Sequence, residues 1–99
     1  MAAQFDLYLA PNNSPVVVLQ SDALEAIKTR VFAPCLPADR PGMRPARLAP
    51  AFFHAEREYR VMLHLIGAAP VHRLGAKVGN VAYLRDDIVR AYDLLITGV

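Results

Sequence analysis

The sequence predicts a mainly β domain with one carboxy-terminal α-helix, built as a small, strongly bent antiparallel sheet or partly open barrel. Short runs of alternating apolar and polar residues recur along most of the chain and are separated by Gly, Pro and Asn, which is typical of strands joined by turns. Residues 80–99 change to apolar spacings of three and four, which predict a helix. A sheet followed by a helix usually buries the apolar faces of both, so we expect the helix to pack on the sheet.

The amino-terminal part of the chain predicts three strands. Residues 4–10 alternate apolar with polar side chains, and a turn rich in Pro and Asn leads to the β-branched run 16–19, which together indicate a hairpin. Ser21 or Asp22 can cap a short helical turn after this hairpin. A third strand is expected over residues 29–36.

A proline-rich segment, residues 37–50, is the expected long loop of the domain, although residues 46–48 could begin the next strand. Three arginines lie in this segment: Arg40, Arg44 and Arg47. Such a basic patch is either a solvated loop or a docking surface for an acidic partner. The second interpretation makes these three arginines candidate residues for binding a partner protein.

Residues 51–66 predict a second hairpin, with a polar turn at 54–58 and an alternating strand after it. Residues 67–70 predict a bend or bulge because of their Gly and Pro. Residues 71–74 then predict a further short strand.

The helix predicted for residues 80–99 has one apolar face and one charged face. The apolar face comprises Leu84, Ile88, Ala91, Tyr92 and Leu95. Carboxylates early in the helix suit the positive end of its dipole, and Gly98 stands where a helix commonly ends in a left-handed residue.

Composition indicates one domain, residues 1–99, with a single core. Hydrophobic residues make up 55% of the chain, which hints at a buried subunit interface. The net charge of only +2 does not favour direct binding to nucleic acid through phosphate contacts. Cys35 is the only cysteine, so no intrachain disulfide can form. With no signal-peptide pattern and no membrane span, we expect a cytoplasmic protein.

The sequence contains no recognisable catalytic or metal-binding motif. The spacing of His54, His64 and His72 matches no compact metal site, and the glycines form no phosphate-binding loop. Glu56 and Glu58 flank a hairpin tip, where carboxylates are usually solvated. We therefore expect no catalytic residue, metal or cofactor, and a protein that acts through its surface.

The residues themselves resemble the CcdB toxins of toxin–antitoxin operons. The resemblance is carried, in order, by QFDLYL, VVLQSDALEAIKTRVFAPCL, YRVMLHLIGAAPVHRLGAKVGNV and RDDIVRAYDLLITGV. The combination of VxxQSD, TRV before a proline, LGxxVG and a terminal helix ending in Gly plus a β-branched residue is fairly specific. It covers nearly the whole chain.

This resemblance implies a homodimer of SH3-like barrels of the CcdB/MazF kind, each ending in a helix. It implies a topoisomerase inhibitor that binds the DNA gyrase A subunit, traps gyrase on cleaved DNA and supports plasmid maintenance. It also implies neutralisation by a CcdA-type antitoxin, for which Arg40, Arg44 and Arg47 are the candidate docking residues, with no cofactor and no catalytic step of the toxin itself.

The resemblance also assigns gyrase-binding positions. They are Ala23 and Leu24 after the QSD segment, and Asp93, Ile96, Thr97, Gly98 and Val99 on the terminal helix. Well-studied members carry a tryptophan where this chain has Thr97, and an asparagine where it has Asp93. A changed or lost target is therefore one alternative to gyrase. An endoribonuclease like the MazF toxins is another, with Arg30 and Thr29 as its best available candidates.

Overall fold

A computed structural model describes residues 2–39 and 46–98, in which a curled antiparallel sheet is packed against one helix. The strands of this part are β1 (Asp6–Leu9), β2 (Pro15–Val18), β3 (Thr29–Pro37), β4 (Ala51–His54), β5 (Arg57–Val61), β6 (Gly67–Pro70) and β7 (Lys77–Asn80), and the helix is α1 (Arg85–Thr97). The strands are ordered β4-β5-β3-β2-β1-β7, with β6 paired to β3. This confirms the predicted mainly β, partly open barrel with a terminal helix.

Strand β3 organises the sheet because it pairs with three other strands along its length. Its first residues pair with β6, its middle residues with β2 and its last residues with β5. Strands β5 and β6 therefore follow one edge of β3, interrupted by a 3-10 turn at Leu63–Leu65. The sequence predicted uninterrupted alternation to residue 66, which is wrong: at the turn the consecutive residues Met62 and Leu63 are both buried, and Leu65 is exposed.

Both predicted hairpins are confirmed. Strands β1 and β2 pair around the Pro- and Asn-rich turn. In the second hairpin His54 pairs with Arg57, and the two residues between them, Ala55 and Glu56, have φ of 52° and 63°. Positive φ at both central positions is typical of the tight turn that joins twisted strands.

Three other sequence predictions are corrected by the structure. Residues 46–48 form a 3-10 turn, and the next strand begins only at Ala51. The segment predicted as a bend is strand β6, whereas the one predicted as a strand is mostly a 3-10 turn, Val71–Arg73. Strand β7 was not predicted. It pairs with β1 after Gly75, where a Cβ would lie 2.6 Å from the Leu9 carbonyl oxygen, so only glycine allows this approach.

The core lies between the sheet and one face of α1. Its members include Leu7, Val17, Ala33, Cys35, Val61, Leu63, Leu84, Ile88 and Ala91. Burial raises the pKa of the Cys35 thiol, so this cysteine behaves as a small apolar side chain. The apolar face predicted for the helix is only partly buried, because Tyr92 and Leu95 remain exposed. No helix among the described residues has the length and apolar character that crossing a membrane requires.

Asp6 is a buried carboxylate that joins β1, β7 and the amino-terminal segment. Asn80 Nδ2 donates to its Oδ1 at 2.9 Å, the Ala3 amide donates to its Oδ2 at 3.0 Å, and Lys77 Nζ lies 3.3 Å from Oδ1. Burial alone would raise the pKa of Asp6, but these three partners together lower it below its ordinary value of 3.8.

We expect Asp6→Asn to destabilise the fold by about 1–3 kcal/mol at neutral pH, since the charge-assisted hydrogen bonds are lost. The folded-state pKa is lowered, so the stabilisation is complete above the unfolded pKa and is lost as pH falls through the folded value. Urea unfolding of both proteins from pH 7 to below pH ~3.8 should show the difference shrinking with acid. A difference that is constant over this range would contradict the assigned network.

Candidate functional site

The 3-10 turn Asp22–Leu24 is fixed by hydrogen bonds at both ends. The Ala23 amide donates to Ser21 Oγ at 3.2 Å, which caps the turn as the sequence predicted. The Gln4 amide donates to Asp22 Oδ1 at 2.8 Å, and Gln20 Nε2 donates to the Leu24 carbonyl at 3.2 Å. The turn therefore presents Leu24 in a defined position although every residue in it is exposed.

Arg30 holds the segment that follows this turn. The residue is 3% exposed, and its guanidinium donates to four backbone carbonyls, all of which precede it in the chain. Nε donates to Ala2 at 3.2 Å, Nη2 to Glu25 at 3.1 Å, and Nη1 to Thr29 at 3.0 Å and to Ile27. One buried cation thus satisfies four carbonyls and connects the loop to the amino terminus.

A mostly apolar groove of about 320 Å³ separates this turn from α1. Leu19 and Leu24 lie on one side, Val89 and Tyr92 on the other, and Val31 and Leu63 also line it. Leu24 is 49% exposed and Tyr92 46% exposed, so both remain available to a partner. An apolar groove with exposed walls is suited to receiving an apolar side chain.

The end of α1 is an exposed apolar tip beyond this groove. Ile96 is 62% exposed and follows Tyr92 by one helical turn. The Thr97 hydroxyl donates to the Asp93 carbonyl at 2.7 Å, and the Gly98 amide donates to the Leu94 carbonyl at 2.9 Å. Gly98 has φ of 76°, so the predicted left-handed helix end is confirmed.

The predicted partner-binding residues lie on two separate elements. Leu24 lines the groove beside the helix, whereas Ala23 is exposed on the turn and does not line it. Four predicted residues, Asp93, Ile96, Thr97 and Gly98, occupy the last turn of α1 and its cap. Val99, Arg40 and Arg44 lie outside the described residues.

Arg47 belongs to a different region from the groove. It lines a cleft with Arg60 and Arg90, two residues that sequence reasoning did not connect with it. Sequence reasoning also missed Val31, Val89 and Tyr92 as groove residues. Only Tyr92 gave a signal, as a large aromatic residue on the helix, and it was assigned to the buried face.

The structure gives no support to the residues proposed for ribonuclease chemistry. The Arg30 guanidinium is buried and occupied by backbone carbonyls, so it is not presented to a substrate. Within residues 2–39 and 46–98, no three His, Cys, Asp or Glu side chains are grouped so that they could hold a metal ion.

Comparison with known proteins gives one family and a consistent fold. The family model described as CcdB protein matches residues 4–98. No curated protein matches the sequence significantly.

Three solved structures show the same fold at low identity. A mycobacterial endoribonuclease in complex with its cognate antitoxin has a TM-score of 0.75 at 15% identity, covering 94% of this chain and 92% of that one. The Mycobacterium tuberculosis toxin MazF-mt6 has a TM-score of 0.73 at 16% identity, covering 91% and 93%. A further Mtb toxin has a TM-score of 0.71 at 16% identity, covering 88% and 94%.

Proposed function

This chain belongs to the CcdB family, and from that premise we propose that it is the toxin of a toxin–antitoxin system that acts by binding the DNA gyrase A subunit. Bound toxin traps gyrase on cleaved DNA, and the toxin itself catalyses no step. The observation that carries the proposal is the family match over residues 4–98. The exposed helix tip supports it, because its Ile96 side chain is free to enter a partner surface.

The effector surface of this proposal is the helix tip together with the turn that carries Leu24. Both present apolar side chains at the surface. Leu24 lines the groove, and Ile96 lies one helical turn beyond Tyr92, which lines the groove from α1. Asp93 lies on the same helical turn as Ile96 and adds a carboxylate that a basic residue of the partner can meet.

The proposed assembly is a homodimer that presents two such tips to one gyrase. Val89 and Tyr92 are exposed apolar side chains on α1 outside the tip, and burial of such side chains between two copies would favour a dimer. A two-fold symmetric dimer would present the same helix tip twice to one partner. A CcdA-type antitoxin is the proposed neutralising partner, and the fold neighbour solved with its cognate antitoxin lends support by analogy.

Endoribonuclease activity is the second candidate, favoured by the fold likeness to a mycobacterial endoribonuclease at a TM-score of 0.75. That likeness has 15% identity and concerns the fold. The carbonyl-bound Arg30 weighs against this candidate. Incubation of the purified chain with total RNA separates the two candidates, since a gyrase-binding toxin leaves the RNA intact.

The direct test is titration of the purified chain into the gyrase A subunit of its own host, followed by calorimetry. The proposal expects saturable binding. An absence of binding, in a protein that still arrests growth when expressed, would favour a changed target.

We expect Thr97→Trp to strengthen binding to gyrase A by about tenfold, because an interfacial tryptophan adds stacking area that Thr lacks. The fold should tolerate the change, since Thr97 is exposed and its hydroxyl bonds only the Asp93 carbonyl one turn earlier. Thr97→Val is the matched control, because it removes the hydroxyl without adding an aromatic ring. Equal affinities of the Trp and Val variants would show that the position does not contact gyrase.

A further inference from the structure

We propose that a cleft lined by three arginines binds an acidic peptide segment of a partner protein. This arginine cleft, about 430 Å³ in volume, lies between α1 and the β4–β5 hairpin. Arg47, Arg60 and Arg90 line it from three different elements, against the single carboxylate of Asp87. The inference rests on the proposed function in one respect: the antitoxin is the partner that would supply the segment.

The three guanidinium groups have few partners among the described residues. Arg60 Nη1 donates to the Ala49 carbonyl at 2.8 Å, which fixes this side chain and leaves most of its N–H groups for a ligand. Arg90 Nη1 lies 3.3 Å from Asp87 Oδ1, but both side chains are exposed, so this pair is weak and can be exchanged. Arg47 is exposed and has no ion pair among the residues that the structure describes.

The chemistry of the cleft favours a peptide over RNA. Pro50, Ala51 and Leu94 give it apolar surface between the arginines, which suits an apolar side chain flanked by carboxylates. Its lining contains no aromatic ring on which a base could stack.

Asp87 is the only acidic residue among the described residues that line the cleft, and it lies beside Arg90. Carboxylates of another molecule would therefore balance the remaining positive charge of the cleft. The arginine cleft also shares no residue with the groove, and Arg47, Arg60 and Arg90 lie outside the last turn of α1, of which only Leu94 lines the cleft. Antitoxin docking at the cleft can therefore be separated by mutation from the effector surface.

The test compares two double charge reversals. Arg47→Glu with Arg90→Glu changes the cleft, and Arg57→Glu with Arg85→Glu is the matched control, since both control residues are exposed, ion-paired and outside the cleft. The probe is a fluorescein-labelled peptide of alternating Glu and Leu, measured by anisotropy beside a labelled single-stranded RNA. We expect the cleft variant to lose at least about tenfold in peptide affinity and the control less than about threefold.

Asp87→Asn gives a test of opposite sign, because removal of the only carboxylate in the cleft should increase peptide affinity. The proposal is overturned if the wild-type chain does not bind the peptide, if both double variants lose affinity equally, or if the RNA binds more tightly than the peptide.

Expression in cells separates this proposal from the proposed function. The cleft variant should still arrest growth, and coexpressed cognate antitoxin should rescue it less well than the wild-type chain. Equal rescue of both would overturn the docking site. If the wild-type chain does not arrest growth, the toxin proposal fails, whereas the peptide titration still decides whether the cleft binds acidic segments.

Discussion

Replacing Ile96 by Asp is expected to abolish gyrase binding while the protein stays folded. Ile96 is 62% exposed on the last turn of α1, so the change removes apolar contact area from the tip without opening the core. A central apolar contact contributes ~2 kcal/mol or more to an interface, and an uncompensated buried carboxylate adds to the loss. We expect affinity for gyrase A to fall more than about thirtyfold, with an unchanged thermal unfolding midpoint.

Phe53→Asp is the control for this experiment. Phe53 is 73% exposed on β4 and lines neither the groove nor the tip, so it tests the same chemical change on another surface. It should leave gyrase binding within about twofold of the wild type. An Ile96→Asp protein that still binds, or an equal loss in the Phe53→Asp protein, would contradict the assignment of the effector surface to the tip.

Arg30→Met is expected to cause a large loss of stability, about 3 kcal/mol or more. The guanidinium is buried and donates to the carbonyls of Ala2, Glu25, Ile27 and Thr29, which lose these partners together. In a domain of this size such a loss lowers the unfolding midpoint by more than about 10 °C. Differential scanning calorimetry measures it directly.

Arg57→Met is the matched control, since Arg57 is exposed and its guanidinium makes a surface ion pair of 3.7 Å with Asp39 and lies 5.9 Å from the centre of the Tyr59 ring. Its stability should remain within about 0.5 kcal/mol of the wild type. If Arg30→Met were equally mild, the carbonyl network would not hold the loop. Because that loop follows Leu24, a destabilised Arg30 variant should also bind gyrase A less tightly near its unfolding midpoint.

The two hairpins and the terminal helix could be predicted from sequence because their signals are local. Alternating residues and turn chemistry identify β1, β2, β4 and β5, and Gly98 identifies the end of α1. The break at Leu63–Leu65 could not be predicted, since the alternation of the sequence continues through it. Only the packing shows that Met62 and Leu63 are both buried while Leu65 is exposed. Strand β7 could not be predicted because its sequence shows little apolar alternation. It is held in the sheet by backbone pairing with β1, which leaves no side-chain pattern in the sequence.

Sequence could indicate a part of the candidate site only where the residues of that part are contiguous in the chain. The helix tip is contiguous in sequence, so the family resemblance could assign it. The groove and the arginine cleft are formed by residues far apart in the chain, such as Leu24 with Tyr92 and Arg47 with Arg90. The role of Arg30 left no sequence pattern, since its partners are backbone carbonyls that any residue could supply.

The central claim is that this chain poisons gyrase through its helix tip. The measurement is incubation of the purified chain with host gyrase, ATP and supercoiled plasmid, followed by detergent and protease, and electrophoresis of the DNA. We predict linear DNA that carries covalently attached gyrase before proteolysis, formed by the wild-type chain and not by the Ile96→Asp protein. Absence of linear DNA with the wild-type chain, or its equal formation by the Ile96→Asp protein, would contradict the claim.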